Sequence, residues 1–172
     1  MSRGRSNKIV GQTGEYLVAA ELSRRGLICT TFTGNVPHYD LIASNEAGEH
    51  ISVQVKASMS GSWQFANVSD YCDIKFRGPQ QIVGRHKSSP IKNLVVVFVK
   101  IDKDGRDEFY VLTWEELRAL ILVNYTAYLA KHAGVRPKNH RSLHVGVRAE
   151  HLLRYRDNWD IVQKRLSGFR SS

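Results

Sequence analysis

Three side chains in one stretch of this sequence have the chemistry to act on a phosphate ester: Asp40, Gln54 and Lys56. Carboxylate and amide oxygens are ligands for a hard divalent cation, and an ammonium group stabilises negative charge on phosphate oxygens. Gln54 and Lys56 are two residues apart in an alternating apolar and polar run, so they project from the same face of a strand. The set is typical of metal-assisted phosphodiester hydrolysis, although solvated strand faces also carry Gln and Lys.

A predicted β-hairpin positions these side chains. Residues 37–43 and residues 51–57 both have strand character, and in the second run apolar and polar residues alternate strictly. The intervening residues 44–49 are rich in turn formers, which favours antiparallel pairing of the two strands. With that pairing, Asp40 reaches the strand face that carries the amide and the ammonium group.

A fourth candidate, Glu15, lies on a predicted helix that runs from Ile9 to Arg25. Apolar residues recur along this segment at three- and four-residue spacing, and a glycine follows it as a C-cap. Glu15 and Glu21 both border the apolar stripe, where an acid needs a partner or a function. We expect Glu21 to form an ion pair with Arg24 or Arg25. We expect Glu15 to contribute to the site of Asp40.

The rest of the chain alternates strands and helices, with no internal repeat or linker. The unbroken apolar run 94–99 predicts a central strand that is covered on both faces, and Thr113 with Glu116 predicts a capping box. Before the central strand, the sequence predicts a strand at 27–33, a turn at Gly34-Asn35, a strand at 63–65 and an irregular region at 69–93. After it, the sequence predicts a returning strand at 109–112, a helix from Thr113 to near Gly134, a short strand at 143–147 and a helical tail at 149–166. The expected anchors of the tail are Leu152, Leu153, Trp159, Ile161, Val162 and Leu166.

Basic residues are concentrated in two segments that are far apart in the sequence. The chain carries a net charge of +9 with a pI near 9.8, which suits a polyanionic partner, and nucleic acid is the usual one. Basic side chains neutralise phosphates, and the alternative is a solvated basic surface. The candidate DNA-binding residues are Lys75, Arg77, Arg85 and Lys87 in the first segment, and Arg136, Lys138 and Arg141 in the second.

Length and composition predict one domain over residues 1–172, with a core of about 8–125 and a C-terminal extension of about 126–172. Two cysteines, Cys29 and Cys72, are too few for a disulfide framework, and we expect buried thiols in a reducing cytoplasm. No apolar run approaches the roughly 18 residues that cross a membrane, so we expect no membrane association.

The order of these motifs resembles that of the PD-(D/E)xK nuclease superfamily, which has the restriction-endonuclease-like fold. The matching segments are Gly11–Glu15 on the helix, Pro37–Asp40 on a strand, and Gln54–Lys56 on the next strand. The nearest pattern is that of small resolvase-like nucleases and intron homing endonucleases. The resemblance covers about the first 60 residues and implies an α/β fold with an αβββαβ core, a central mixed β-sheet flanked by helices, and here a C-terminal helical extension.

The resemblance also implies a Mg²⁺-dependent DNA endonuclease, with Mn²⁺ able to substitute. Asp40 would be the principal metal ligand, with Gln54, the carbonyl of Val55 and Glu15 completing the set, and Lys56 would orient the attacking water or stabilise the transition state. Gln54 stands where the family usually has an acid, which makes Glu15 the source of the missing charge.

Other readings stay open. A homodimer is expected if both strands of a duplex are cut, since one site cuts one strand. The Gln54 substitution also allows a nuclease fold that binds nucleic acid without catalysis. A basic domain that binds an acidic protein is the third possibility.

Overall fold

The chain alternates short strands with a few helices, and the computed structural model describes residues 3–32, 34 and 36–167. Thr33 and Asn35, which belong to the predicted strand and turn after the first helix, lie outside the described residues. The elements in chain order are α1 (Arg3–Arg24), β1 (Ile28–Thr31), β2 (Leu41–Ser44), β3 (His50–Ser58), β4 (Ser62–Phe65), β5 (Cys72–Arg77), β6 (Gln80–His86), β7 (Val95–Lys100), β8 (Glu108–Thr113), α2 (Trp114–Ala130), β9 (Val145–Arg148), α3 (Ala149–Leu152) and α4 (Asp160–Ser167).

A five-stranded mixed sheet with the order β1-β2-β3-β7-β8 forms the centre of the molecule. The predicted hairpin is confirmed, because β2 and β3 pair antiparallel, and β7 lies parallel to β3. Five of the six residues of β7 are buried, which confirms the prediction of a strand covered on both faces. Strands β4 and β9 form one separate two-stranded sheet, and β5 and β6 form another.

Two apolar clusters cover the two faces of the sheet. Val53 and Val55 of β3 belong to the cluster that contains residues of α1 and α4. Val96 and Phe98 of β7 belong to the other cluster, together with residues of α2, β4 and β9. The chain thus forms a mixed α/β fold with a central mixed sheet flanked by helices and a C-terminal helix, as the sequence predicted. Residues of the C-terminal stretch pack into both clusters.

Helix α1 begins earlier than predicted and ends where predicted. Gly26 adopts a φ of 81°, and the N–H of Leu27 donates to the carbonyl of Leu22 at 3.2 Å. Glycine tolerates this left-handed conformation without a steric penalty, which explains the end of the helix. Glu21 forms ion pairs with both Arg24 and Arg25, as predicted.

Helix α2 begins with the predicted capping box. The hydroxyl of Thr113 accepts a hydrogen bond from the N–H of Glu116 at 3.2 Å, and the Glu116 carboxylate accepts one from the N–H of Thr113 at 2.8 Å. Each side chain satisfies a backbone donor that the first turn of a helix leaves without a partner.

Three secondary-structure predictions are wrong. Residues 37–40 were expected to belong to the first strand of the hairpin, but β2 begins only at Leu41. Residues 69–93 were expected to be irregular, but β5 and β6 form a hairpin there. In β6 the polar Gln81 is buried and Ile82 is exposed, so the residue types of this strand do not follow its buried face. The C-terminal tail is not one helix: it breaks between α3 and α4, where Asp157 has a φ of 51°. Leu153, expected as an anchor, is 61% exposed.

The connection from β3 to β7 differs from the usual crossover between parallel strands. Parallel neighbours are generally joined through a helix, whereas here residues 59–94 contain β4, β5, β6 and a short 3₁₀ turn. Within the described part of the chain, no helix is both long and apolar enough to cross a membrane.

A single glycine sets the distance between α1 and β3. A Cβ atom at Gly14 would lie 2.5 Å from the Cβ of Ala57, whereas a Cβ at Gly11, one turn earlier, would meet nothing within 4 Å. We predict that Gly14→Ala lowers the free energy of unfolding by about 1–3 kcal/mol through overpacking. The matched variant Gly11→Ala should raise it by about 0.5–1 kcal/mol, since alanine favours a helix interior. Urea unfolding measures both, and equal effects of the two substitutions would contradict this account.

Candidate active site

The edge of β3 is unpaired where β2 begins, and Asp40 occupies that position. The N–H of Asp40 donates to the carbonyl of Val53 at 2.9 Å, and its carboxylate accepts a hydrogen bond from the N–H of Val55 at 2.6 Å. The side chain of Asp40 therefore takes the place of the next backbone acceptor of β2. This charge-assisted hydrogen bond holds the carboxylate in one orientation at the sheet edge.

The backbone of Val55 presents a second oxygen at the same place. In a strand, the N–H and the C=O of one residue face the same neighbouring strand. Because the N–H of Val55 faces Asp40, its carbonyl opens on the same side of β3. This geometry agrees with the predicted use of the Val55 carbonyl as a ligand.

Glu15 reaches the same edge from α1. The contact of Gly14 with β3 brings this turn of the helix against the strand. Glu15 and Asp40 line one cleft of about 360 Å³, which we call the carboxylate cleft. Its other described lining residues are Lys8, Gly11, Gln12, Phe32, Gly34, Val36 and Tyr39.

The two carboxylates of this cleft repel one another. Burial raises the pKa of Glu15 above its ordinary value, and the negative charge of Asp40 raises it further. Lys8 also borders the cleft, but no ion pair of Glu15 or Asp40 occurs among the residues that the structure describes. A cation bound between the carboxylates of Glu15 and Asp40 would offset this repulsion.

Lys56 lies beside this site but points from the other face of β3. It is in register with Phe98, whose side chain belongs to the apolar cluster on the α2 side. Lys56 lines a second cleft of about 570 Å³, the lysine cleft, which shares Gly11 with the carboxylate cleft. Among the described residues, no acid forms an ion pair with Lys56.

Gln54 lies on the same face as Lys56 but borders a third cleft of about 370 Å³. His38 shares this cleft, and its φ of 75° lies in a region that residues other than glycine seldom adopt. The structure therefore brings Glu15 and Asp40 together, places Lys56 in an adjoining cleft, and places Gln54 and His38 in another.

Sequence reasoning missed Trp63, which lines the lysine cleft. Its indole N–H is buried and has no hydrogen-bond partner among the described residues. Tryptophan usually finds a partner for this donor when it is buried. The sequence contains no signal for such an orphaned group, because it arises only from the packing of the ring against Phe98 and Tyr110.

A buried glutamine, together with its neighbour Gln80, joins the two basic segments. Gln81, only 5% exposed, donates from its side chain to the carbonyls of His140 and Ser142. Tyr125 of α2 donates its hydroxyl to the Gln81 side-chain oxygen. These bonds fasten the β5–β6 hairpin to the loop after α2, so the first basic segment lies against the second. Sequence reasoning did not single out Gln81.

The candidate DNA-binding residues differ in how firmly the protein itself holds them. The ammonium group of Lys87 donates to the carbonyl of Ser69 at 2.6 Å, and the guanidinium of Arg136 donates to the carbonyl of His144 at 2.7 Å. The guanidinium of Arg141 lies 6.0 Å from the centre of the Phe76 ring. The remaining four are exposed and have no ion-pair partner among the described residues: Lys75, Arg77, Arg85 and Lys138.

The oxygen donors at the edge of β3 are chemically suited to Mg²⁺. No group of three or more His, Cys, Asp or Glu side chains that could hold a metal occurs in the described part of the chain. Mg²⁺, however, is usually held by one or two carboxylates and keeps several of its water ligands. Two repelling carboxylates beside the backbone carbonyl of Val55 fit that preference better than they fit a fully enclosed metal site.

Comparison with known proteins shows the fold. No protein-family model matches the chain, and no curated protein matches it. Among solved structures, the chain is similar to the bacterial homing endonuclease I-Ssp6803I, with a TM-score of 0.56 and 12% identity, over 96% of this chain and 98% of that one. At this identity the likeness establishes the fold alone.

The repulsion between the two carboxylates predicts a pH-dependent effect of Glu15→Gln in metal-free protein. Since the folded state raises the pKa of Glu15, its ionisation destabilises the fold at neutral pH. Glu15→Gln should therefore raise the melting temperature at pH 7 in EDTA. The gain should disappear below about pH 4, where the carboxyl group is protonated in both the folded and the unfolded state.

The control is Glu46→Gln in the exposed turn between β2 and β3, which should change the melting temperature little at either pH. A destabilising effect of Glu15→Gln at neutral pH would show that the Glu15 carboxylate has a favourable partner.

Proposed function

We propose that this protein is a DNA endonuclease that hydrolyses phosphodiester bonds with Mg²⁺, for which Mn²⁺ can substitute. The observation that carries the proposal is the convergence of Glu15 and Asp40 in one cleft, without an ion-pair partner among the described residues, beside the cleft of Lys56. The similarity of the fold to a homing endonuclease and the net charge of +9 support it.

The proposed metal ligands are the carboxylates of Asp40 and Glu15 and the carbonyl of Val55, whereas Gln54, which the sequence also suggested, borders a different cleft. When bound, Mg²⁺ supplies Lewis-acid polarisation of the scissile phosphate and lowers the pKa of a bound water. Asp40 is oriented for this task by the N–H of Val55. Glu15 supplies the second negative charge that Gln54, a neutral amide, does not.

Lys56 acts on the phosphate from the adjoining cleft. Its ammonium group is free of acidic partners among the described residues, so it can donate to a phosphate oxygen or to the attacking water. A fixed positive charge at this position stabilises the charge that develops on the phosphate oxygens during hydrolysis. Because strand β3 carries both Lys56 and the Asp40-bound Val55, one rigid element sets the separation of these groups.

Nicking of plasmid and short duplex DNA in Mg²⁺ tests the activity. Asp40→Asn keeps an oxygen for the N–H of Val55 but removes the charge, and Lys56→Met keeps the aliphatic stem. Each should lower the cleavage rate by about three orders of magnitude or more, a barrier increase of several kcal/mol. Glu46→Gln and Lys164→Met, two exposed residues away from the clefts, are the charge-matched controls and should cleave like the wild type. Cleavage by Asp40→Asn at the rate of these controls would refute the assignment.

Binding of the ion can be measured without any substrate. A ligand that binds only the folded state raises the melting temperature with its concentration. We expect Mg²⁺ and Mn²⁺ to stabilise the wild type, Glu15→Gln to weaken that stabilisation, and Asp40→Asn to abolish it. Equal stabilisation of all three proteins would place the ion elsewhere.

A nuclease fold that binds nucleic acid without cutting it is the second candidate. The neutral Gln54 and the absence of a three-residue cluster of metal-binding side chains in the described chain favour it. It predicts no cleavage of any substrate and duplex binding that weakens steeply with salt. Absence of DNA binding at low salt would leave a basic domain for an acidic protein partner.

We also propose that the protein acts as a homodimer. A single site of this kind cuts one strand, and a symmetric pair is the simplest assembly that cuts both strands of a duplex.

A further inference from the structure

A fourth cleft lies on the α2 side of the sheet, away from α1. It measures about 480 Å³ and lies between α2, β4 and β9. We call it the basic cleft, because the charged side chains that line it are all cationic and no Asp or Glu is among its lining residues. Its ionisable lining residues other than tyrosine are Lys131, Arg136, His144, Arg148 and His151.

Two of these groups are held in fixed positions. The guanidinium of Arg136 lies 4.6 Å from the centre of the Tyr128 ring and donates to the carbonyl of His144 at 2.7 Å. The N–H of Arg148 donates to the Nδ1 atom of His151 at 3.3 Å, which holds the ring in place. The basic cleft thus presents preorganised donors, which reduces the entropic cost of binding an anion.

The basic cleft is continuous with the cleft of Lys56. Ser62 and Gln64 of β4 line both. Gln64 lies across Gly146 of the paired strand β9, where a Cβ atom would come within 3.2 Å of its side-chain nitrogen. The absence of a side chain at Gly146 leaves room for the Gln64 amide on the floor between the two clefts, where it can serve as a further donor.

One acid reduces the positive charge nearby. The carboxylate of Glu150 lies 3.3 Å from the guanidinium of Arg148 and 3.7 Å from the ring of His151. It does not line the cleft, and Lys131 and Arg136 have no acidic partner among the described residues. The cleft therefore stays cationic, which suits an anionic group such as a backbone phosphate.

We propose that the basic cleft binds a backbone phosphate of the same nucleic-acid strand that is cut between Asp40 and Lys56, an inference that rests on the proposed function. The shared residues Ser62 and Gln64 connect the two positions along one path. Binding there would fix the register of the strand without reading its bases, since phosphate contacts position and carry no sequence information.

Fluorescence anisotropy of a labelled duplex in EDTA, over a series of NaCl concentrations, tests this without any cleavage. Lys131→Met should weaken binding several-fold and lower the slope of log K against log salt by about one. Gln64→Glu places a carboxylate on the floor of the cleft and should also weaken binding. The matched controls on the other side of the sheet are Lys164→Met and Gln163→Glu of α4, which change the net charge equally at exposed positions.

The result expected is a clear loss of affinity in the two cleft variants relative to their controls. Equal affinity of each cleft variant and its control, or no duplex binding by the wild type, would overturn the inference. If the wild type cleaves DNA but the cleft variants bind normally, the inference fails and the nuclease proposal stands. If the cleft variants bind weakly but the wild type never cleaves, the phosphate site stands and the nuclease proposal fails.

Discussion

One hydrogen bond, from the N–H of Val55 to the carboxylate of Asp40, governs the architecture of the candidate site. An unpaired sheet edge exposes backbone donors and acceptors that need partners. At the end of β2 the chain meets this need with a side chain instead of another backbone group. The same hydrogen bond therefore satisfies the strand edge and fixes the carboxylate, and the carbonyl of Val55 lies on the same side of β3.

The approach of α1 adds a second carboxylate at an energetic cost. Gly14 allows the helix to lie against Ala57, and this contact brings Glu15 to Asp40, where burial and like charge raise its pKa. Repulsion that no described ion pair offsets is unfavourable for folding and is typical of sites that use charge for binding. Elsewhere on the same helix Glu21 shows the ordinary solution, with two arginines within ion-pair distance.

The basic surface depends on a different buried contact. Gln81 joins a hairpin to a loop that follows it by more than fifty residues, with Tyr125 completing the network. A buried amide of this kind is stable only when its donors and acceptors are all satisfied. Here that requirement holds two basic segments together, so a polar core contact determines the distribution of surface charge.

Much of this molecule follows from local sequence. Several elements are specified by backbone geometry and side-chain periodicity, which act over a few residues. Examples are the alternation in β3, the apolar run of β7, the glycine after α1 and the capping box of Thr113 and Glu116. The β5–β6 hairpin escaped prediction because β6 buries the polar Gln81 and exposes Ile82, so its residue types do not follow its buried face. The break before α4 escaped because the positive φ of Asp157 has no strong sequence signature. Sequence also marked Glu15, Asp40, Gln54 and Lys56 as residues with the right chemistry. Only the tertiary structure placed Glu15 and Asp40 in one cleft and assigned Lys56 and Gln54 to two neighbouring clefts. It also placed the basic cleft beside the cleft of Lys56. The sequence could not show these positions, because they depend on the packing of elements that are distant in the chain.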